Sequence, residues 1–307
     1  MKFEVTILGC GSAAPTLLRS ASSQYINVRE RHLLIDCGEG TQIQLRKYKA
    51  KFQKINHLFI SHLHGDHFFG LVGLLSSLHL LGRTNPIHIY GPPELKEVLS
   101  VTFKASQTYL NFEYIFHDLS FDSKHLIMED KLIEVYSFPL IHRVDCCGFI
   151  VQEKLKERGM RKDKILEYKI SLEAIPSIKK GGDLMLESGE VIPNDEVTNG
   201  PPASRSYAYC SDTAFSEDVI EAVKDVDVLY HEATFTSNLT ERAKETMHST
   251  TVQAAEVAKR ANAGKLVIGH FSGRYTEDLS VYDEEIAPIF PNYQLAEDGM
   301  VINVSQE

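Results

Sequence analysis

Short apolar runs recur along the chain and alternate with segments whose apolar positions recur at helical spacing. Residues 2–8, KFEVTIL, carry β-branched Val5, Thr6 and Ile7 and predict a strand. Two β-rich runs, 24–29 and 32–36, flank Arg29-Glu30-Arg31 and predict a hairpin, after which Gly38-Glu39-Gly40 opens a helical segment, Thr41–Tyr48. Residues 57–60 predict a short buried strand, and residues 68–81, apolar nearly all round, a buried helix. The alternation continues through 86–90, 93–103, 112–116 and 125–136. It resumes after Ser206 with strands at 206–210, 226–231 and 265–269 and helices at 216–223, 250–262 and 277–288. Alternation of this kind predicts an α/β architecture. Residues 152–205 interrupt it: they are charged and broken by Gly181-Gly182 and Pro201-Pro202. We read them as an insertion or protruding arm on a single domain spanning 1–307, not as a second globular domain.

Composition narrows this picture. At 307 residues and 43% apolar, the chain can bury a core without disulfide staples. Its five cysteines are odd in number and lack paired metal-finger spacing, which fits a reduced, cytoplasmic protein. No apolar run is long enough to span a bilayer, so no membrane partner is expected. A net charge of −10, taken alone, argues against a nucleic-acid binder, since phosphate contacts need Lys and Arg. Charge is uneven, however. Arg46 to Lys54 holds five basic residues and no acid, and Lys154 to Lys164 holds six against two. Either stretch fits a solvated helix face as well as a phosphate-binding one.

The chemistry concentrates in His62-Leu63-His64-Gly65-Asp66-His67, directly after the 57–60 strand. In an extended segment His62 and His64 project to one side, while Gly65 lets the chain turn so that Asp66 and His67 address a second point. Imidazole and carboxylate are ligands that suit zinc. Three further candidates each follow an apolar run: His142, Asp212 and His270. Taken singly, Asp212 also fits a helix N-cap and His142 a core histidine, and spacing alone does not join them to the first cluster. Cys37, Cys146, Cys147 and Cys210 flank these motifs and are expected to pack beneath them as small apolar groups.

Together, Gly9-Cys10-Gly11, Ile35-Asp36-Cys37-Gly38-Glu39-Gly40, the His62–His67 element, a following lone His, Ser211-Asp212-Thr213 and Gly269-His270 resemble the metallo-β-lactamase superfamily. Finer markers resemble the ribonuclease Z family: Gly40-Thr41-Gln42, His231-Glu232-Ala233-Thr234-Phe235, His248-Ser249-Thr250-Thr251 and Gly269-His270-Phe271-Ser272-Gly273-Arg274-Tyr275. The resemblance implies a four-layer αββα sandwich with an arm. It implies two zinc ions per subunit, with manganese or iron accepted by the same ligand types. One ion takes His62, His64 and His142, the other Asp66, His67 and His270, and Asp212 bridges them. The implied activity is endonucleolytic removal of the 3′ trailer from precursor tRNA by a homodimer. In the arm, the family's Gly-Pro turn is replaced by Glu173-Ala174-Ile175-Pro176-Ser177-Ile178-Lys179-Lys180-Gly181-Gly182.

The mechanism that follows is attack on phosphorus by a hydroxide shared between two metals. Asp66 orients or deprotonates the nucleophile. His248, positioned by Glu232, protonates the leaving ribose oxygen. His231 and Arg274 contact the phosphate. Rival readings are a hydrolase of the same fold acting on a thioester, lactone or small phosphodiester, a nucleic-acid-binding protein with a dead centre, and a metal serving only as a fold staple.

Overall fold

The computed structural model describes residues 2–275 and 278–305. Among them, strands β1 (Phe3–Gly9), β2 (Ser23–Val28) and β3 (Arg31–Ile35) form an antiparallel meander. The hairpin between β2 and β3 turns on Arg29 and Glu30, both with positive φ, the two-residue turn whose twist matches the strands. Helix α1 (Thr41–Lys47) follows, then β4 (Ile55–Phe59), α2 (Gly65–Phe68), α3 (Leu71–Leu80), β5 (Ile87–Gly91), α4 (Glu94–Ala105) and β6 (Tyr114–Asp118). Strands β3 to β6 run parallel, as helical crossovers require.

The predicted helix over 68–81 is instead two helices broken near Gly70, and only one stripe of α3 is buried: Leu71, Leu74, Leu75 and Leu78. Leu80 is 81% exposed. The break has a steric origin. A Cβ on Gly70 would sit 2.0 Å from the Gly38 carbonyl oxygen, and one on Gly38 would sit 2.3 Å from the Asp66 carbonyl oxygen. Glycine at both positions lets the loop after β3 press against the turn that carries Asp66 and His67.

The chain continues with β7 (His125–Glu129), β8 (Ile133–Pro139) and β9 (Cys147–Glu153), the last of which the apolar pattern did not separate from the arm. Residues 153–204 form a compact unit of their own. It holds β10 (Gly159–Met160), α5 (Lys162–Glu167), α6 (Ile175–Lys179), the hairpin β11 (Leu184–Met185) and β12 (Val191–Ile192), α7 (Asn194–Val197) and β13 (Thr198–Asn199), which pairs with β10. A small core of Ile170, Ile178, Leu184, Ile192 and Val197 holds it together, although no helical or strand period announces it. Its basic run is paired locally: Lys156 lies 2.9 Å from Glu153, Arg161 3.1 Å from Asp163, Lys164 2.8 Å from Glu167, and Arg158 bonds Asp195.

The first unit resumes with β14 (Ser206–Cys210), α8 (Glu217–Ala222), β15 (Val228–Glu232), α9 (Thr240–Thr246), α10 (Thr251–Arg260), β16 (Lys265–Gly269), α11 (Ser280–Ile286), β17 (Tyr293–Leu295) and β18 (Val301–Asn303). The helix predicted over 277–288 is α11, shorter at both ends, and residue 277 lies outside the described residues. Two seven-stranded sheets result, ordered β18-β1-β2-β3-β4-β5-β6 and β17-β16-β15-β14-β9-β8-β7. Their facing sides share one core, with Phe3, Val5, Ile7 and Phe59 from the first sheet and Val135, Phe149, Tyr207 and Tyr209 from the second. Leucines of α1, α3 and α4 cover the outer face of the first sheet, and α10 packs on β15 and β16. The unit is thus the four-layer αββα sandwich that the family resemblance implied, within the α/β architecture that the alternation predicted. No helix among the described residues is long and apolar enough to cross a membrane.

Candidate active site

The C-terminal ends of parallel strands gather polar side chains at one rim, as in other α/β folds. Strand β4 leads to His62 and His64, β14 to Asp212, β15 ends at Glu232, and β16 leads to His270. His142 follows β8. His270 takes a left-handed backbone, φ 60°, a conformation that costs a non-glycine residue about 1–3 kcal/mol.

Two groups of ligand atoms result. In the first, His142 Nε2 lies 3.1 Å from His64 Nδ1, and Asp212 Oδ2 lies 3.6 Å from His62 Nε2 and 3.8 Å from His142 Nε2. In the second, His67 Nε2 lies 3.3 Å from His270 Nε2 and 3.6 Å from Asp66 Oδ2. Asp212 Oδ1 lies 3.4 Å from His67 Nε2 and 3.1 Å from His270 Nε2. The two oxygens of Asp212 therefore face different groups. Each group can hold a metal ion. Tetrahedral zinc, with bonds of about 2.0–2.1 Å, spaces its ligand atoms about 3.3–3.4 Å apart. The spacings here are close to that. His62 Nε2 and Asp212 Oδ1 are buried and aligned for no hydrogen bond, which leaves their lone pairs for a cation.

Electrostatics point the same way. Burial pushes the pKa values of His62, His64 and His142 down, so all three are neutral and their nitrogens can donate to metal. Burial opposes charge on Asp66 and Asp212 as well, yet adjacent imidazoles hold both carboxyls below the usual range. Around His67 burial is overridden by Asp212, Asp66 and Asp36, which raise its pKa well above the ordinary value. Three carboxylates make this end of the pocket favourable to positive charge.

The distal nitrogens are anchored, which fixes the orientation of each ring. His67 Nδ1 lies 2.7 Å from Asp36 Oδ2, His62 Nδ1 3.0 Å from Ser61 Oγ, His142 Nδ1 2.9 Å from the Met247 carbonyl and His270 Nδ1 2.8 Å from Thr234 Oγ1. Asp36 is the residue that sequence reading left without a role. Fully buried, it also accepts from the Ser61 amide at 2.8 Å, the Ser61 hydroxyl at 2.9 Å and the Tyr209 hydroxyl at 2.7 Å. Its position at the strand end, before Cys37-Gly38, was the available signal. Ala13 was also missed; its amide donates to Asp66 Oδ2 at 2.7 Å.

His248, between α9 and α10, reaches the edge of the cluster: its ligand atom lies within 4.8 Å of those of Asp212 and His270. Its Nδ1 is 2.9 Å from Glu232 Oε1. Glu232 is fully buried and accepts from the amides of Thr213, Thr234 and Ser249 and from the Thr234 hydroxyl. Burial alone lowers the His248 pKa, but the carboxylate outweighs it and lifts the value to about 9. Neither residue is a helix cap: Ser216 caps α8 and Thr250 caps α10. Asp212 is no cap either.

The expectation for His231 does not hold. Neighbouring strand residues face opposite sides, so with Glu232 turned to the site His231 faces away. It is fully buried, with Nδ1 donating to the Glu232 carbonyl at 2.7 Å, and it cannot touch a substrate phosphate. Arg274 is exposed and lines a cleft beside His248. All five cysteines are free and buried.

Ribonuclease Z of Bacteroides thetaiotaomicron is 46% identical over 304 residues, which covers 99% of this chain and 96% of that protein. The chain belongs to the ribonuclease Z family. A second ribonuclease Z, from Parabacteroides distasonis, is 45% identical over 98% of this chain and 99% of its own length. Among solved structures, the short form of human tRNase Z superposes with a TM-score of 0.72 at 30% identity, covering 99% of this chain and 100% of that one. The metallo-β-lactamase fold protein YhfI of Bacillus subtilis shares the fold at a TM-score of 0.69 and 18% identity, covering 99% and 100%. A family model described as Anti-Pycsar protein Apyc1 matches residues 3–156. That match takes in the His62–His67 element and His142 but stops before Asp212, Glu232, His248 and His270, whereas the ribonuclease Z relatives align through all of them. Membership in the ribonuclease Z family makes this chain a metal-dependent endoribonuclease.

Proposed function

We propose that this chain hydrolyses one phosphodiester bond of precursor tRNA, releasing the 3′ trailer and leaving a 3′-hydroxyl on the tRNA. The observation that carries the reading is the division of Asp212 between two ligand groups, with the His248–Glu232 pair at their edge. The name of human tRNase Z, 30% identical over 99% of this chain, supports tRNA as the substrate.

In this reading His62, His64 and His142 would hold one zinc ion and Asp66, His67 and His270 another, with Asp212 turned to both groups. Bound there, such cations supply Lewis acidity and an acidified water. The remaining work falls to the chain. Asp66 accepts the Ala13 amide with Oδ2 and orients the attacking water. The leaving 3′-oxygen of ribose needs a proton, and His248 carries one: its Nδ1 is engaged by Glu232, so Nε2 delivers it. Glu232 is a positioning residue that keeps the ring charged and aimed. Arg274 contacts a substrate phosphate.

Exposed Ile43, Phe69 and Leu80 on the α1–α3 layer support a homodimer. The compact unit 153–204 serves as an arm that holds the tRNA. The protein works in the cytoplasm. Incubation with a 3′-extended precursor tRNA, with both new ends mapped, tests this function. Cleavage that leaves a 3′-hydroxyl on the tRNA and a 5′-phosphate on the trailer is expected. Hydrolysis of small esters with no cut in the precursor contradicts it.

A further inference from the structure

Two clefts share a rim made by Ser12, Ala13 and His248. One, of about 470 Å3, is lined by the metal-ligand candidates Asp66, His64, Asp212 and His270. The other, of about 350 Å3, adjoins it, and Arg242, Arg274, Thr246, Ser272 and Thr16 are among its lining residues. Its lining thus combines two guanidinium groups and several hydroxyls with the apolar Ala13, Ala14 and Phe235, a combination suited to the phosphate, ribose and base of a nucleotide. Neither guanidinium is firmly held. Arg242 Nη1 lies 3.1 Å from Glu245 Oε2, with both side chains more than half exposed, and among the described residues Arg274 has no ion-pair partner.

Chemistry fixes which part of the RNA belongs in the second cleft. If His248 protonates the leaving oxygen, the ribose bearing that oxygen sits against His248. The scissile phosphate stays at the metal ligands, and the trailer it carries extends away from His248. The nucleotide that departs with a new 3′-hydroxyl then lies next to His248, and the cleft that adjoins His248 outside the metal-ligand group is the one lined by the guanidiniums. The phosphate on the 5′ side of that nucleotide falls among them.

We propose that this second cleft seats the terminal nucleotide of the tRNA product, and that Arg242 binds the phosphate on that nucleotide's 5′ side. This rests on the proposed function. Arg242 lies on α9, a helix to which sequence reading gave no part in the site. It is a substrate-binding residue that never touches the metal centre.

The test compares wild type with Arg242→Ala and Arg242→Lys on a 3′-extended precursor tRNA and on bis-p-nitrophenyl phosphate, which has no upstream phosphate. In Arg242→Ala, the ratio of kcat/KM for precursor to that for the small diester is expected to fall about tenfold, the scale of one lost charged hydrogen bond. The loss appears in KM rather than kcat, and Arg242→Lys restores part of it. The slope of log affinity for mature tRNA against log salt, measured by anisotropy on the full-length protein, falls by about one. A precursor with an uncharged methylphosphonate one linkage 5′ of the scissile bond loses the same factor with wild type and nothing further with Arg242→Ala. Additive losses, or a ratio and salt slope that match wild type, overturn the assignment of Arg242. A wild-type enzyme that hydrolyses the small diester but never cuts the precursor overturns the proposed function itself, and this inference with it.

Discussion

His248 Nδ1 lies 2.9 Å from Glu232 Oε1, and this one contact sets the charge of the ring at the edge of the metal cluster. Glu232 cannot relax away from it, because three amides and a hydroxyl hold the carboxylate in place. Burial would otherwise discharge the ring. With the carboxylate present the pKa rises to about 9.

A pH profile follows. An acid whose pKa is raised is protonated below that value and loses its proton above it, so kcat on precursor tRNA falls as pH rises through about 9. The stability contributed by the pair has the same sign: it is fully present below the ordinary histidine range of about 6.5 and lost as pH climbs through the folded value. Glu232→Gln removes the charge and moves the alkaline limb to lower pH. His248→Ala lowers kcat on precursor by about 10²–10⁴. The loss on bis-p-nitrophenyl phosphate is smaller, because a nitrophenolate leaves without a proton. Equal losses on both substrates contradict the acid role.

Asp36 is expected to matter to metal binding without being one of the candidate ligands. It orients His67 and takes three further hydrogen bonds, so Asp36→Asn keeps the shape but loses the charge behind the ring. Metal affinity falls by about 10–100-fold, read by chelator competition, with the fold intact by circular dichroism. Wild-type affinity in this variant contradicts the orienting role.

Asp212 faces both ligand groups, so its removal disturbs both. Asp212→Ala is expected to purify with metal at neither site, whereas elemental analysis of wild type is expected to give two equivalents per chain. Two equivalents retained by the variant contradict the shared-ligand assignment. Chelation of wild type should likewise abolish activity and lower the melting temperature, because a ligand that binds only the folded state stabilises it.

The compact unit 153–204, the proposed arm, makes a separable prediction. Ile178 is 1% exposed within the small core of residues 153–204. Ile178→Ala costs that unit about 2–5 kcal/mol. KM for precursor tRNA rises while turnover of the small diester persists and two metal equivalents remain. A variant whose arm is cut early by protease but whose KM for tRNA is that of wild type contradicts a role for the arm in holding RNA.

Much of the site was legible because the candidate ligand residues follow apolar strands, and a strand end fixes where a side chain emerges. His62, His64, Asp66 and His67 were readable as a cluster for that reason, and His142, Asp212 and His270 only once a family pattern joined them. Contacts made by backbone groups were not legible. The Ala13 amide on Asp66 and the Met247 carbonyl on His142 depend on loop paths that no side-chain pattern encodes. His231 misled because it adjoins Glu232 in sequence, while strand alternation puts the two on opposite faces. The helix over 68–81 misled because composition does not show that Gly70 must pack against Gly38. Strand β9 was hidden because its apolar run merges into the charged arm.

Crystallographic anomalous scattering at the zinc edge tests the paired metal centre most directly. Two peaks about 3.5–4 Å apart are predicted, one among His62, His64 and His142, the other among Asp66, His67 and His270, with one oxygen of Asp212 on each. A single peak, or two that do not share Asp212, contradicts the centre on which the proposed chemistry rests.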